Sequence, residues 1–248
     1  MRPLILAPNR RADAAANMGT DAALLASLPP ESAVFRHYGW TEAALTFGYS
    51  QKYEAVHALA PTGVTLCRRL TGGGIVDHRN DWTYALALET GLPAARRRAD
   101  TLYGEVHRKI RDALQNAGVD CGLAPCPRDC NTEPAAAAGN PKKTVAADQC
   151  FLQAAHNDVV RPDGTKIAGA AMKRTRSGLL LQGSIAREAL PPNFDFGNFR
   201  NAFAQSLAEI LELRLTDEER EGESSILNKL DIQAEKERFA SDVWNISR

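Results

Sequence analysis

Apolar and polar positions along the chain fall into segments with two different periods. Ala12 to Leu28 is rich in Ala and Leu and stops at Pro29-Pro30, which predicts a helix despite Gly19. Ala33 to Trp40 and Ala43 to Tyr49 are short runs of Val, Phe, Tyr, Trp and Leu separated near Gly39 and Thr41, which predicts a pair of strands. Val64 to Leu70 predicts another strand, followed at once by Thr71-Gly72-Gly73-Gly74, and Trp82 to Leu88 alternates enough to be a strand. From Arg98 to Gly118 the period changes. Leu102, Val106, Ile110 and Leu114 recur every four residues, the spacing of one helix face, and Gly118 suits the helix end.

Residues 151–160, 165–172 and 178–185 predict three further strands, with turns at Pro162-Asp163-Gly164 and around Ser177-Gly178. Before them, Cys121 to Ala147 breaks the pattern with four prolines, a run of alanines and Lys142-Lys143, and predicts a long surface loop. After Pro191-Pro192 the chain turns helical, with amphipathic helices predicted over Phe199 to Leu213 and Asp231 to Trp244. Strands and helices do not alternate regularly, which argues against a doubly wound parallel sheet. The expected fold class is α+β: a mixed, largely antiparallel sheet flanked by helices.

Composition narrows the function classes. The chain has 248 residues, with 30 Lys+Arg against 30 Asp+Glu, so its formal net charge is zero. That balance lacks the basic excess of a general nucleic-acid binder. No uncharged apolar run reaches the ~18 residues of a membrane span, and Leu4-Ile5-Leu6-Ala7 is too short for a signal-peptide core. Five cysteines, an odd number, argue against a disulfide framework and for a reducing, cytoplasmic setting. Cys121, Cys126 and Cys130 lack the fourth ligand and the tight pairing of a zinc site, and the five histidines show no metal-binding spacing, so no metal is expected.

Three segments can carry chemistry. In Arg68-Arg69-Leu70-Thr71-Gly72-Gly73-Gly74-Ile75-Val76-Asp77-His78, three glycines after a strand let a ligand approach the main chain, and the arginines can bind a carboxylate or phosphate. The segment has neither the Gly-Lys-Ser/Thr ending of a P-loop nor a dinucleotide fingerprint. Lys166-Ile167-Ala168-Gly169-Ala170-Ala171 sets a lysine among small residues that permit close packing against a ligand. Cys150 is a candidate nucleophile if a nearby cation lowers its pKa. For each there is a plain alternative: a glycine-rich hairpin, a solvated lysine and a buried, inert thiol.

Taken together, in this order, the segments resemble the lipoate/octanoate branch of the biotin–lipoate protein ligase family. The likeness starts at Asn17-Met18-Gly19-Thr20-Asp21-Ala22-Ala23-Leu24 and continues through Phe35-Arg36-His37-Tyr38-Gly39-Trp40 and Leu45-Thr46-Phe47-Gly48-Tyr49. It is sharpest at Arg68-Arg69-x-Thr71-Gly72-Gly73-Gly74 with Val76 and His78, and resumes at Lys166-x-Ala168-Gly169-x-Ala171 and Gln182-Gly183-Ser184. Lys236-x-Arg238-Phe239-x4-Val243-Trp244-Asn245 is similar to the family's closing helix. Departures stand at Ala170 and Met172, where the family often has Ser and Gln, and at Gln182, where a histidine often precedes Gly-Ser.

The resemblance implies a fold of the class II aminoacyl-tRNA synthetase/biotin synthetase type. It implies a catalytic domain over residues 1–190, with residues 191–248 a helical tail packed on it. It implies an enzyme that moves an octanoyl or lipoyl group onto one lysine of a lipoyl carrier domain, such as the glycine cleavage H protein or a 2-oxoacid dehydrogenase E2. Arg69, Gly72, Gly73, Gly74, Ile75, Val76, His78 and Gly169 would then bind the acyl ligand, and Lys166 would sit at its carbonyl. The Gly-Arg-rich loop of biotin ligases is missing, which disfavours biotin. The branch holds two mechanisms. Octanoyltransferases take the acyl group from octanoyl-acyl carrier protein through a cysteine thioester and need no cofactor, and Cys150-Phe151 before Lys166 looks like their pattern. Lipoate–protein ligases use ATP and Mg to make an acyl-adenylate, and Asn157-Asp158 resembles theirs. A non-catalytic carrier-binding module is the third reading. Nucleic acid and membrane are not expected partners.

Overall fold

A computed structural model describes residues 1–126, 154–217 and 226–247. In chain order its strands are β1 (Pro3–Leu6), β2 (Arg10–Ala12), β3 (Ala33–Trp40), β4 (Ala44–Phe47), β5 (Thr65–Arg68), β6 (Val76–Asp77), β7 (Asp81–Glu89), β8 (Gly122–Leu123), β9 (Val159–Val160), β10 (Lys166–Arg174), β11 (Gly178–Ala186) and β12 (Arg214–Asp217). The helices are α1 (Ala14–Ser27), α2 (Tyr53–His57), α3 (Ala99–Asn116), α4 (Phe196–Leu211), α5 (Gln233–Ala240) and α6 (Asp242–Ile246). Only the start of the expected loop over Cys121 to Ala147 lies within the described residues, and there Gly122–Leu123 pairs with β9. Residues 151–153 of the expected strand 151–160 lie outside them as well.

Among the described residues the main sheet has nine strands, in the order β12-β1-β3-β7-β11-β10-β9-β8, with β2 also on β3. β12, β1 and β3 run parallel, and from β3 through β8 every neighbour is antiparallel. This is the mixed, largely antiparallel sheet expected. The predicted pairing of β3 with β4 does not occur. β1 and β7 already occupy both edges of β3, so the chain leaves the sheet after Trp40. β4 then founds a second sheet of three strands, parallel to β5 and antiparallel to β6.

Each face of the main sheet has its own core. One face carries Phe35, Trp82, Tyr84, Leu181 and Ile185 and is covered by the apolar stripes of α3 (Leu102, Val106, Ile110, Leu114) and α4 (Phe199, Phe203, Leu207, Leu211). The other carries Val34, Tyr38, Ala85, Ala87 and Leu180 and is covered by α1, Cys67 of β5 and Phe239 of α5. This explains why β11 reads as an unbroken buried run: both faces of it are covered. The helices start and stop where local chemistry dictates. Asp13 caps α1 by accepting from Ala16 N at 2.7 Å, Asp195 caps α4 from Asn198 N at 2.9 Å, and α3 runs out into Gly118 at φ +81°.

The C-terminal helices fix the strand that leads to the glycine loop. Arg68, fully buried, donates from its main-chain N to Asn245 Oδ1 (2.7 Å), from Nη2 to Asn245 O (2.8 Å), and from Nη1 to Tyr49 O (2.9 Å) and Gln51 O (2.6 Å). Trp244 Nε1 donates back to Arg68 O at 2.7 Å. No described helix is long and apolar enough to cross a membrane.

Candidate active site

On the second face of the main sheet, between the apolar cover and the small sheet, lies a cavity of about 180 Å³. Its floor crosses four strands in register: Tyr38 of β3 opposes Thr83 of β7, which opposes Ser184 of β11, which opposes Gly169 of β10. Three inter-strand steps make the floor about 14 Å long. Met18 of α1 forms one wall, and Arg69 with Gly73, Gly74, Ile75 and Val76 forms the roof. Tyr103, Ala155, Asp158 and Lys166 line the end beside β10.

The roof is held by hydrogen bonds to its main chain. Arg69 Nη2 donates to Gly72 O and Gly74 O, both at 2.7 Å, and Nη1 donates to Thr46 Oγ1 at 3.2 Å. The guanidinium therefore folds the loop around itself. Gly73 sits at φ +84°, where a side chain is strained. Gly48 at the end of β4 lies against the loop so closely that a Cβ there would stand 2.0 Å from Gly73 O. At the far end, His78 bridges Asp81 Oδ2 (Nδ1, 2.8 Å) and Thr46 Oγ1 (Nε2, 2.8 Å) and stacks on Trp40 at 3.9 Å. The Asp81 carboxylate can only accept, so Nδ1 is the donor to it.

At the β10 end, Lys166 Nζ meets Asp158 Oδ2 at 2.8 Å. The Asp158 carboxylate is fully buried, and the lysine side chain is 15 % exposed. Tyr103 OH donates to Asp158 Oδ1, and Ala155 N donates to Oδ2 at 2.7 Å. β10 changes register between Lys166 and Ala168, a local irregularity of the kind that re-aims a side chain. Gly169 leaves the room the lysine needs, because a Cβ there would lie 2.3 Å from Lys166 Cε and 2.5 Å from Nζ. Its backbone is outside the left-handed region, so Gly169→Ala is expected to fold with an unchanged melting midpoint. Thermal melting beside wild type checks this, and a midpoint lower by more than about 5 °C would contradict it.

Behind the floor, a buried polar network ties the roof to the sheet. Thr71 Oγ1 donates to Gln182 Oε1 at 2.8 Å, and Gln182 Nε2 donates to Asp21 Oδ2 at 2.7 Å. Asp21 also receives Tyr38 OH (3.0 Å) and Arg36 Nη1 (2.7 Å). Burial pushes the Asp21 carboxyl up, against the pull of the Arg36 charge and the Gln182 and Tyr38 donors. Gln182 uses both ends of its amide, one as acceptor and one as donor.

Of the residues singled out in the sequence, Arg69, Gly73, Gly74, Ile75, Val76, His78, Lys166 and Gly169 line this one cavity, and Gly72 accepts from Arg69 in its roof. Cys150 lies outside the described residues. Burial pushes the Cys67 thiol up to about 12, and burial also raises Cys121, so neither is activated for attack near neutral pH. Cys126 is disulfide-bonded, a pairing the odd cysteine count did not lead us to expect. Sequence reasoning did not assign Asp158, Tyr103, Tyr38, Thr46 or Met18 to the site. Asp158 could have been found from its place beside Asn157 before the lysine strand. Met18, Tyr38 and Thr46 stand in segments that carry the resemblance, and Tyr103 carries no local signal.

Solved structures share this architecture. The chain superposes on lipoate-protein ligase A bound with ATP with a TM-score of 0.70 at 16 % identity, covering 99 % of each chain. It superposes on a bipartite lipoate protein ligase from Thermoplasma acidophilum with a TM-score of 0.68 at 16 % identity, covering 99 % of this chain and 96 % of that one. The fold is therefore the one these lipoate protein ligases have. The chain belongs to the lipoyl protein ligase A/B catalytic domain family, whose model matches residues 13–214. It is 29 % identical over 280 residues to the octanoyltransferase LipM of Bacillus subtilis, covering 96 % of this chain and 95 % of that protein. It is 31 % identical over 177 residues to the octanoyltransferase LipM of Geobacillus kaustophilus, covering 68 % of this chain and 60 % of that one.

Proposed function

We propose that the chain is a cysteine-dependent octanoyltransferase that carries an octanoyl group from acyl carrier protein to the lysine of a lipoyl carrier domain. The observation that carries the reading is Lys166, held by a buried carboxylate at one end of a pocket whose floor crosses four strands. Such a floor, about 14 Å long, suits a medium-length acyl chain with its carbonyl at the lysine. Ala155 stands in the wall beside Lys166, and Cys150 precedes it by five residues, a tether of at most about 18 Å. The octanoyltransferase relatives support the donor, and the Thermoplasma ligase, whose structure was described together with its E2 lipoyl domain, supports the acceptor.

The Cys150 thiol gives its proton to solvent, its thiolate attacks the thioester carbonyl, and the carrier's sulfur leaves as a thiolate that takes a proton back from solvent. The acyl-enzyme is then attacked by the ε-amine of the lipoyl domain, which gives its proton to the departing Cys150 sulfur as the amide forms. In both steps the Lys166 ammonium stabilises negative charge on the carbonyl oxygen. Arg69 and Gly72, Gly73, Gly74, Ile75 and Val76 close over the acyl chain, His78 bounds its far end, and Gly169 makes room for the lysine. This chemistry uses the chain's own groups.

The test is transfer to a lipoyl domain, under reducing conditions, from octanoyl-acyl carrier protein alone or from lipoate with ATP and Mg. Wild type is expected to work with the first donor and Cys150→Ala to lose that activity. Full ATP-independent transfer by Cys150→Ala would sink the thioester mechanism. Activity only with lipoate and ATP would make the chain a ligase, and no acylation with either donor would make it a carrier-binding module.

A further inference from the structure

We propose that Tyr103 is a positioning residue of the acyl-transfer site: its hydroxyl fixes the Asp158 carboxylate so that Lys166 is held at the acyl carbonyl. This inference rests on the function proposed above for Lys166. Tyr103 lies on α3, far in sequence from both partners, and α3 packs against β9 and β10.

The hydrogen-bond directions are forced. Ala170 N donates to the Tyr103 hydroxyl at 3.1 Å, which occupies a lone pair of the phenol oxygen. The phenol proton then goes to Asp158 Oδ1. Lys166 Nζ and Ala155 N share the other oxygen, Oδ2, at 2.8 and 2.7 Å. The carboxylate is thereby fixed in both position and rotation. Its three donors come from α3, from the segment before β9, and from β10.

The phenol also completes the sheet. β9 pairs with β10 only as far as Ala168, so among the described residues no strand receives the Ala170 N–H on that side. The Tyr103 hydroxyl takes that place and is tied to the same strand that carries Lys166. The ring is held from behind by His107, edge-on at 4.0 Å. His107 is fully buried, and neither ring nitrogen has a hydrogen-bond partner among the described residues. Burial holds its pKa at about 4, so it packs as a neutral plate and does not compete for Asp158. Burial, followed by the Asp158 charge, raises the phenol's own pKa, which keeps the proton on Tyr103.

Tyr103→Phe removes the hydroxyl and keeps the ring and its contact with His107. The experiment measures kcat and KM for the acyl donor in transfer to a lipoyl domain, together with the thermal midpoint. The expected result is a kcat lower by about 10- to 100-fold, a KM within about twofold and a midpoint lower by only a few degrees, the cost of the Ala170 N–H left without its acceptor. An unchanged kcat overturns the proposal. So does a variant that fails to fold, or one whose KM rises in step with the fall in kcat, because Tyr103 would then be structural. If wild type works only with lipoate and ATP, the transferase reading fails, and the same comparison still decides Tyr103 in that reaction. Wild type inactive with both donors overturns both proposals.

Discussion

Lys166→Ala is expected to slow acyl transfer by about 100- to 1000-fold, with most of the loss in kcat. The reason is local. Lys166 is the cation at the β10 end of the pocket, and Asp158 holds it there at 2.8 Å. Alanine removes the charge that would meet the carbonyl oxygen as it turns into an oxyanion. The roof and floor that hold the acyl chain remain, because Arg69 closes the glycine loop through Gly72 O, Gly74 O and Thr46, none of which involves Lys166. Asp158 keeps its donors from Tyr103 and Ala155 N, so the buried carboxylate is not stranded. Steady-state kinetics checks this, and a variant with the wild-type kcat would remove Lys166 from the chemistry.

Asp21→Ala is expected to have the largest effect on stability, a loss of about 3–5 kcal/mol read from denaturant unfolding. Asp21 is fully buried and the Arg36 side chain is 4 % exposed. Removing the carboxylate leaves Arg36 with only uncharged acceptors, Asn17 O at 3.2 Å and Asn17 Oδ1 at 3.0 Å. It also takes the acceptor from the Tyr38 hydroxyl and leaves Gln182 Nε2 with the weak acceptor Met18 Sδ at 3.4 Å. The double variant Asp21→Ala/Arg36→Met is expected to recover much of the loss, since the cost comes from an unpaired buried charge. A single-variant loss under about 1 kcal/mol would mean that water reaches the pair and replaces the carboxylate.

Local patterns exposed much of this fold, and non-local pairing hid the rest. The four-residue spacing of Leu102, Val106, Ile110 and Leu114 marked α3, and the runs at β7, β10 and β11 were legible to within a residue or two. β1 was not, because four residues between Pro3 and Pro8 look like a tether until β3 and β12 flank them. The partner of β4 was misjudged because nearness in sequence favoured β3, whose edges distant strands had already filled. Three glycines after a strand announced the roof, and a lysine among small residues announced β10. The need for Gly169 was legible only once the lysine's own path was visible. Tyr103 could not be read at all. It occupies a half-buried position on α3 where a tyrosine is ordinary, and only folding brings it to Asp158. Gln182 stood out as a departure, and its role as a bridge between Thr71 and Asp21 needed three separate elements in place.

The most direct test of the account is the intact mass of the reduced protein after mixing with octanoyl-acyl carrier protein, without ATP or a lipoyl domain. The account predicts a gain of one octanoyl group that Cys150→Ala does not show and that passes to a lipoyl domain added afterwards. No gain in mass, with the lipoyl domain acylated only when free acid and ATP are supplied, would contradict it.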